Sequence, residues 1–518
     1  MKIENTGTAF EDELSGDLAS VRDVLVPTLD GRMSEHSAAT VRGRTFAQHV
    51  LLFSLANLMA LICNGVLTIL LPRLLSMESY GYYRLFLLYG GFAGILHLGL
   101  LDGGLIRWAA RPSQRMRPEL VNALVFLFVE HLVLLLPPLV ILAVLFHHQM
   151  WFWLLPTIGL YALVFNCSTL GQFGLQADKL FGVLSAITVI NPALLLAAVI
   201  VLERWTHLTL QSLVAAYILS WLVAGVVAWM VLAARLPGST IHWRHVWRTG
   251  AYNIRVGWSV LLANVLTAVT FSLDRIAVSM TFPIRDFAIY GFAANALAVV
   301  TTIILSVARV VFPYLSDGLS PETRTRAYWW GEACLVVLWA VSLAGYFVLR
   351  WLISWLLPNY LSSLPVLRLL MLATGFTAII HILQSNYFRS TLRQQQLLVG
   401  CAAGLVSASA LLVLARRTGH LSSMALAMLG ALAVWWVVNE LLLQPVTGRN
   451  WRNLTRTMLV CAGCGAWFVL CSSWDNAPVG AVAYCAGAGI LLGITYRSIL
   501  RVVPRLKLFP ALGLQNSE

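Results

Sequence analysis

Two apolar runs in the first half of the chain decide the fold. Residues 180–202 read LFGVLSAITVINPALLLAAVIVL, and residues 210–233 read LQSLVAAYILSWLVAGVVAWMVLA. Neither run contains a charged residue. Each is long enough for a helix that crosses ~30 Å of hydrocarbon, which takes about 20 residues. The sequence therefore predicts two adjacent transmembrane helices joined by a short turn.

The same pattern extends along most of the chain. Apolar stretches near this length predict fourteen spans, at residues 48–72, 85–106, 120–146, 150–173, 180–202, 210–233, 256–281, 287–312, 328–350, 364–388, 396–415, 422–444, 456–473 and 479–496. The connections between these stretches are short, which leaves no room for an inserted soluble domain. The predicted fold class is an all-α polytopic membrane protein.

The composition points to the same class. The 518-residue chain is 59% hydrophobic and 11% charged, whereas a soluble protein carries about 25% charged residues. The eight cysteines lie inside apolar runs, where Cys acts as a small hydrophobe. The pair Cys461 and Cys464 has no His or second CxxC beside it, as a zinc site would need. The sequence excludes a coiled coil or a secreted disulfide scaffold, and we expect no metal and no cofactor.

The positions of the basic residues predict the topology. If the N-terminus is inside, the cytoplasmic segments after residue 46 hold 21 Lys and Arg, and the opposite side holds 7. Cytoplasmic loops carry the excess of Lys and Arg, so both termini are predicted to lie in the cytoplasm. The same rule accounts for the net charge of +13, and nucleic acid is therefore not expected as a partner.

Two similar segments indicate an internal repeat. Residues 77–83 read MESYGYY, residues 284–290 read IRDFAIY, and the two are offset by 207 residues, or six predicted spans. Six is even, so the offset predicts two six-helix bundles related by an axis along the membrane normal. The predicted organisation is a disordered acidic cytosolic tail, two six-helix bundles, two additional helices and a basic cytosolic tail, at 1–46, 47–234, 235–445, 446–497 and 498–518.

Charged and polar side chains within the spans are the candidate functional residues. A charge at the bilayer centre costs at least ~2.5–3.5 kcal/mol, so a retained one faces protein, water or substrate. The candidates for binding an anionic substrate are Arg275, Arg309, Arg368, Arg73, Arg107 and Asn64. The candidates for coupling transport to an ion are Asp274, Glu130 and Asp102. Each also has a structural interpretation, since a cation can snorkel to the interface or mark a helix end.

The sequence lacks the common catalytic signatures. It contains no Asp-x-Asp, no His-Glu-x-x-His, no Gly-x-x-x-x-Gly-Lys and no Gly-x-Ser-x-Gly. We therefore do not expect an enzyme. Without an ATPase motif, transport has to be driven by an ion gradient, by substrate flux or by a partner.

Two stretches carry a family resemblance. Residues 71–84 read LPRLLSMESYGYYR and residues 99–107 read GLLDGGLIR; later, residues 273–276 read LDRI and are followed by Tyr290 and Pro313. In these stretches, and in the layout of about residues 46 to 496, the chain resembles the polysaccharide flippases of the multidrug/oligosaccharidyl-lipid/polysaccharide (MOP) exporter superfamily. The long acidic N-terminal tail departs from the family pattern.

The resemblance implies a function and a set of partners. These flippases move undecaprenyl-pyrophosphate-linked oligosaccharides to the outer leaflet of the bacterial cytoplasmic membrane, through a cationic cavity between two six-helix bundles. The implied partners are the lipid-linked oligosaccharide, membrane lipid, and a polysaccharide polymerase and glycosyltransferases that make O-antigen, capsule or exopolysaccharide. Arginine suits such a substrate because its guanidinium presents a fork of donors to phosphate oxygens.

Other functions stay open at this point. An ion-coupled drug or metabolite exporter of the same superfamily would use Asp274, Glu130 or Asp102 as its coupling carboxylate. A lipid II flippase would have the same helix count. A membrane-embedded glycan polymerase or ligase would need a large outer loop or an acidic catalytic pair, and the sequence supplies neither. The excess of Arg over acidic residues in and beside the spans favours an anionic substrate.

Overall fold

The computed structural model describes residues 35–109, 113–145, 151–234, 241, 243–297, 321–391, 393–448 and 451–500. Within these ranges the chain is helical and contains no β-strand. The predicted all-α membrane fold is therefore confirmed.

Eight helices are described in the first half of the chain. They are α1 (Glu35–Leu74), α2 (Met77–Gly90), α3 (Leu100–Ala109), α4 (Ser113–Glu130), α5 (Leu136–Leu145), α6 (Trp151–Ala177), α7 (Phe181–Thr206) and α8 (Leu210–Ala233). A 3-10 turn, Ala93–His97, lies between α2 and α3, and a π-helical turn, His131–Leu135, joins α4 to α5.

Ten helices are described in the second half. They are α9 (Trp243–Thr281), α10 (Ile284–Ala296), α11 (Pro321–Leu343), α12 (Gly345–Leu356), α13 (Leu364–Ala378), α14 (Ser385–Ser390), α15 (Gln394–Ala415), α16 (Leu421–Thr447), α17 (Trp451–Ser472) and α18 (Ala477–Leu500). A second π-helical turn, Ile379–Gln384, joins α13 to α14.

Eleven of these helical segments are long and apolar enough to cross a membrane, and two bent helix pairs raise the number to 13. They match thirteen of the fourteen predicted spans. The remaining one, 287–312, begins as α10 and then continues outside the described residues. The count of fourteen therefore stays a prediction.

The chain divides into two compact units, Met1–Leu55 and Ala56–Glu518. In the first unit the described part is the beginning of α1, which starts at Glu35, inside the segment 1–46 that was predicted to be a tail. Since this division does not separate two six-helix bundles, the predicted bundle boundaries stay a prediction.

Short polar residues define the turns between helices. Ser76 precedes α2, and its hydroxyl accepts a hydrogen bond from the Ser79 amide at 3.1 Å. Thr209 and Ser212 form a reciprocal capping box at the start of α8, with bonds of 3.2 and 3.0 Å. Such caps satisfy amide groups that the first turn of a helix leaves without partners.

The second span differs from its prediction. It was expected as one helix over 85–106, but it begins at Met77 and is broken between α2 and α3, which meet at a bend of 58°. Leu98 and Gly99 take positive φ values of 50° and 90° at the break. Only glycine adopts a φ near 90° without strain, so Gly99 permits the change of direction.

The seventh span is also longer than its prediction of 256–281. Helix α9 begins at Trp243, because the preceding segment WRHVWRTGAYNIR (243–255) is helical although it is too charged for hydrocarbon. The apolar pattern locates the part of a helix that lies in lipid, and α9 extends beyond that part.

Aromatic rings fill the core of the first half. Phe86 of α2 packs edge-to-face on Tyr161 of α6 and Tyr217 of α8, with ring centroids 5.5 and 5.8 Å apart. Tyr83, one turn earlier, contacts Tyr217 at 6.4 Å. Edge-to-face packing is the favoured geometry for such rings. These contacts join α2 to the helices that follow it.

A buried polar cluster joins the helices of the second half. The carboxylate of Glu440 on α16 accepts hydrogen bonds from the Tyr328 hydroxyl and, at 2.8 Å, from Gln384 Nε2. Asn439 Nδ2 donates to Gln384 Oε1 at 2.9 Å. Because buried polar groups are stable only when they are hydrogen-bonded, the cluster fixes α11, the second π turn and α16 relative to one another.

Glycines allow α3 to lie directly against the backbone of α9. A Cβ atom added at Gly103 would lie 2.0 Å from the carbonyl oxygen of Asn253, and one added at Gly257 would lie 2.0 Å from that of Gly99. No side chain fits between the helices at these points. Small residues let membrane helices approach in this way, so that backbone atoms make the contact. We refer to this as the α3–α9 contact.

We expect the substitution Gly257→Ala to destabilise the protein. The added methyl group would force α3 and α9 apart, and such overpacking typically costs about 1–3 kcal/mol. Gly345→Ala is the matched control, because a Cβ atom there meets no other atom within 4 Å. Thermal unfolding of the purified proteins in detergent, followed by tryptophan fluorescence, measures the difference. Equal unfolding temperatures for the two variants would contradict the packing described above.

Candidate functional site

Helices α2 and α10 meet along equivalent positions of the two repeat segments. Arg285 Nη2 lies 2.9 Å from Glu78 Oε1 in an exposed ion pair. A Cβ atom added at Gly81 would lie 3.3 Å from Cβ of Ala288, and one at Gly291 would lie 3.3 Å from Cβ of Arg84. We refer to this as the α2–α10 contact.

The three pairs, 78 with 285, 81 with 288 and 84 with 291, are each 207 residues apart. Each residue thus meets its own counterpart in the repeat. Two parallel helices make such contacts when the symmetry axis that relates them runs parallel to both helices. The α2–α10 contact therefore supports the predicted parallel repeat.

A chain of hydrogen bonds connects α1, α2 and α10. Arg84 Nη1 donates to Asn295 Oδ1 at 2.9 Å, and Asn295 Nδ2 donates to Thr68 Oγ1 at 2.9 Å. The Thr68 hydroxyl donates in turn to the carbonyl of Asn64 at 2.8 Å. Arg84 was expected in the connection before the second predicted span. Its side chain instead lies between helices, where Gly291 leaves space for it.

Arg275 and Asn64 each lie one helical turn before a residue that contacts another helix. Ser279 of α9 is hydrogen-bonded to Tyr89 of α2, with their oxygens 3.2 Å apart, and Arg275 is four residues before it on the same helix face. Asn64 is likewise four residues before Thr68 on α1. Asn64 therefore lies about one helical turn, ~5.4 Å, from the α1 residue of the hydrogen-bonded chain, and Arg275 lies about one turn from the α9 residue that contacts α2.

The Arg275 guanidinium uses only some of its hydrogen-bond donors. Nη2 donates to the carbonyl of Phe271 at 2.7 Å and to the Ser272 hydroxyl at 3.0 Å, while Nη1 makes no hydrogen bond with a described residue. The side chain is 29% exposed. Asn64 is exposed too, and its amide nitrogen donates to the Ala60 carbonyl at 2.9 Å. Arg275 therefore retains donors for an anion on this helix face.

Asp274 anchors Arg275. Its Oδ2 accepts a hydrogen bond from the Tyr290 hydroxyl at 2.7 Å, and its Oδ1 lies 3.7 Å from Arg275 Nε. The Asp274 side chain is buried. The carboxylate thus ties α9 to α10 and provides the countercharge that a cation in a membrane protein needs.

Arg107 lies at the α3–α9 contact. Its Nη1 donates to Asn253 Oδ1 at 2.6 Å, and its Nη2 donates to Glu119 Oε1 at 3.2 Å. The guanidinium carbon lies 4.5 Å above the Tyr252 ring. Arg107 is therefore a bridge between α3, α4 and α9 in this conformation.

The other candidate cations lie elsewhere. Arg73 is exposed in the last turn of α1. Arg368 of α13 has a buried Nε and makes no hydrogen bond with a described residue. Arg309 lies outside the described residues. The structure thus brings Asp274 to Arg275 and places Arg107 at the α3–α9 contact, while Asn64 lies on α1 and bonds within that helix.

Two candidate carboxylates, Glu130 and Asp102, belong to a polar region around the broken second span. Glu130 Oε2 lies 3.3 Å from Nδ1 of the adjacent His131. Asp102 Oδ2 lies 3.9 Å from His97 Nε2. The described residues contain no group of three or more His, Cys, Asp or Glu that could hold a metal ion.

Some residues of this region were not singled out from the sequence. Tyr290 was noted as part of the repeat, but its bond to Asp274 was not expected. The repeat offset itself was the signal that could have located Arg84, since it sets that residue opposite Gly291. Contacts across different spans, such as Asn295 with Thr68, leave no mark in the linear pattern.

Several solved structures have a similar fold. The chain is similar to a structure named lipid II flippase MurJ in an inward closed conformation, with a TM-score of 0.65, 13% identity, and coverage of 87% of this chain and 100% of that one. It is also similar to a MOP superfamily transporter from Pyrococcus furiosus, with a TM-score of 0.51, 15% identity, and coverage of 77% and 93%. The fold is thus that of the MOP superfamily.

A third similar structure is an outward-facing multidrug resistance MATE family transporter, with a TM-score of 0.51, 15% identity, and coverage of 77% of this chain and 95% of that one. A family model described as polysaccharide biosynthesis protein matches residues 70–329. The chain belongs to this polysaccharide biosynthesis protein family. Curated proteins give no sequence match. The resemblance to the superfamily's flippases is confirmed.

We expect a direct cross-link across the α2–α10 contact. With Glu78→Cys and Arg285→Cys, a short bifunctional thiol reagent bridges the two positions in native membranes, because the native side chains meet at 2.9 Å. The control pair is Glu78→Cys with Arg326→Cys, which joins α2 to the start of α11. Protease cleavage and mass spectrometry report the bridge. Equal yields for the two pairs would rule out the contact as described.

Proposed function

We propose that this chain is a flippase that moves an undecaprenyl-pyrophosphate-linked oligosaccharide across the bacterial cytoplasmic membrane. The product would serve O-antigen, capsule or exopolysaccharide export. The family membership supports a role in polysaccharide biosynthesis, and the fold supports transport rather than catalysis. In this proposal the protein performs no covalent chemistry and needs no cofactor.

The observation that carries the proposal is the Arg275 guanidinium, which uses only part of its donors. Arg275 has free donors and a buried counterion in Asp274, and it lies one helical turn before Ser279, which contacts Tyr89 of α2. A pyrophosphate carries at least two negative charges and several acceptor oxygens. A guanidinium can bind such a group through paired charge-assisted hydrogen bonds.

In this proposal the α2–α10 contact closes the outer end of the substrate pathway. By the predicted topology it lies at the outer end of the spans, and Arg275 and Asn64 lie inward of it. The headgroup would bind from the cytoplasmic side, and separation of α2 from α10 would then release it outward while the lipid tail stays in hydrocarbon. Opening requires the loss of the Glu78–Arg285 ion pair and of the Arg84–Asn295 bond.

The remaining predicted cations take secondary roles in the proposal. When the α3–α9 contact opens, Arg107 would leave its hydrogen-bond partners Asn253 and Glu119 and bind the headgroup. Arg368, which lacks a hydrogen bond to a described residue, and Arg73 and Arg309 would contribute positive charge along the path. Both termini would face the cytoplasm, where glycosyltransferases assemble the substrate, and a polymerase would receive it outside.

A drug or metabolite exporter is the second candidate, and the similarity to a multidrug transporter of this fold favours it. Asp274 would then be the coupling carboxylate. Its hydrogen bond from Tyr290 and its position beside Arg275 count against that role. A cationic substrate or ion would have to compete with the Arg275 guanidinium for the carboxylate. Lipid II is a third possible substrate, because its headgroup has the same pyrophosphate chemistry.

We expect Arg275→Ala to reduce translocation of a lipid-linked oligosaccharide by about tenfold or more, the effect of losing one charge-assisted interaction of ~1.5–3 kcal/mol. The assay uses proteoliposomes that contain a fluorescent undecaprenyl-pyrophosphate oligosaccharide, with leaflet exposure measured by a membrane-impermeant quencher. Arg275→Lys keeps the charge but not the fork, and should retain an intermediate rate.

The control is Arg417→Ala, a change at an exposed arginine in the turn after α15, which should leave the rate unchanged. Parallel vesicles that contain fluorescent lipid II separate the two lipid substrates, and vesicles with a cationic dye test the exporter alternative. The proposal is wrong if the wild-type protein moves the dye and neither lipid, or if Arg275→Ala matches the wild type.

A further inference from the structure

The beginning of α9 carries three arginines on one helix face. Residues 243–255 read WRHVWRTGAYNIR and are helical throughout. Arg244, Arg248 and Arg255 follow one another at intervals of four and seven residues, so their side chains lie one above another along the helix. All three side chains are exposed. We refer to these three residues as the arginine face.

The opposite face of this segment is packed against protein. Val246 and Asn253 are buried, with exposed fractions of 1% and 0%. A Cβ atom added at Gly250 would lie 2.3 Å from Cδ2 of Phe126 on α4, and Asn253 lies at the α3–α9 contact. Because α3 and α4 cover this side, the arginine face points away from the protein.

The arginine face has no countercharge among the described residues. Its three guanidinium groups make no hydrogen bond or ion pair with any of them. The chain contains no Asp or Glu between Glu203 and Asp274. On the neighbouring helix α4, Glu119 is already paired with Arg107, with Oε2 and Nη2 3.1 Å apart. The face therefore presents positive charge to a partner outside the described part of the protein.

Three exposed tryptophans lie between the arginine face and the buried face. Trp243, Trp247 and Trp258 have exposed fractions of 59%, 52% and 52%. The Trp247 ring also packs edge-to-face on Phe126, with the centroids 5.1 Å apart, so one side of this ring is held by protein. Tryptophan is enriched where membrane proteins pass from hydrocarbon to headgroups. Arginines beside such rings are typical of a helix surface at the membrane interface.

The arginine face continues into a surface that contacts lipid. Leu262 lies seven residues after Arg255 and hence on the same helix face, inside the predicted span 256–281, and it is 44% exposed. An exposed apolar side chain in a span meets hydrocarbon. The arginine face, immediately outside that span, therefore lies beside the headgroups. By the predicted topology these headgroups belong to the cytoplasmic leaflet, whose surface carries negative charge.

We infer that the arginine face binds anionic phospholipid headgroups of the cytoplasmic leaflet. The guanidinium forks hold phosphate oxygens through paired hydrogen bonds, and the tryptophan rings pack against the same lipids at the interface. The rule that places basic residues inside requires charge in a loop but no particular helix face. It therefore does not account for the alignment of the three arginines. Lipid binding at this face does not depend on which molecule the protein transports.

A bound lipid also acts on the α3–α9 contact. The arginine face and two residues of that contact, Asn253 and Gly257, lie on opposite sides of one helix. Holding the segment at the membrane surface keeps its other side against α3. Since a ligand that binds only the folded protein stabilises it, we expect anionic lipid to raise the temperature at which the protein unfolds.

Photo-cross-linking to lipid tests the inference. The full-length protein in nanodiscs of phosphatidylcholine receives a small fraction of phosphatidylglycerol with a photoactivatable headgroup or, in parallel, of phosphatidylcholine with the same group. Digestion and mass spectrometry locate the labelled residues. We expect phosphatidylglycerol to label residues 243–258 about tenfold more than phosphatidylcholine does, and about 1 M salt to remove most of this preference.

Two triple variants separate this face from the general effect of charge. Replacement of all three arginines of the face by Gln should lower labelling by phosphatidylglycerol about tenfold or more, because each basic residue near the surface contributes about fivefold. The rise in unfolding temperature should disappear with it. The control, Arg326→Gln with Arg416→Gln and Arg417→Gln, removes the same charge from exposed arginines on other elements and should leave both results unchanged.

Equal labelling by the two lipids, or labelling that the three Gln substitutions at the face leave unchanged, overturns the inference. If that triple variant does not fold, the single change Arg248→Gln should still lower labelling about fivefold. Unlabelled undecaprenyl pyrophosphate serves as a competitor, and it should displace the probe no better than unlabelled phosphatidylglycerol does. Stronger displacement would make the face a binding site for the transported substrate and would also overturn the inference.

Discussion

A helix that breaks inside hydrocarbon must find new partners for its backbone groups, and much of the described structure depends on how the second span meets this constraint. Between Phe92 and Gly99 the chain leaves the regular α-helix, turns through a left-handed residue and resumes in a new direction. The Asn166 amide supplies a donor from a neighbouring span. Irregular backbone is tolerated at membrane depth only where protein or water provides such partners.

The break also gives one span two independent surfaces. A straight helix would move as a rigid rod, and a displacement at one end would be imposed on the other. Here α2 is fixed to α10 by an ion pair and by close packing at Gly81, while α3 is fixed to α9 by close backbone approach and by the Arg107–Asn253 hydrogen bond. The charged groups at these two contacts each have a countercharge or a hydrogen-bond partner.

The apolar runs were sufficient to predict the fold class and thirteen span positions, because length and the absence of charge are properties of each segment alone. The repeat offset predicted that the two segments are equivalent, but not that α2 and α10 contact each other. The break was not predicted, since the left-handed residue Leu98 is of a type that gives no such signal. The link from His131 through Asn166 to Ala93 joins three spans, and no local pattern contains it.

The Glu78–Arg285 pair has a consequence for the ancestry of the two halves. If the halves descend from one duplicated bundle, residues 78 and 285 began as the same residue, and in a symmetric dimer that residue would have faced its own copy. A charge at such a position meets a like charge, which weakens association. Under that ancestry, opposite charges would become available there only after fusion let the copies mutate separately. The pair would then mark a step at which pairing within one chain became preferable to pairing between two.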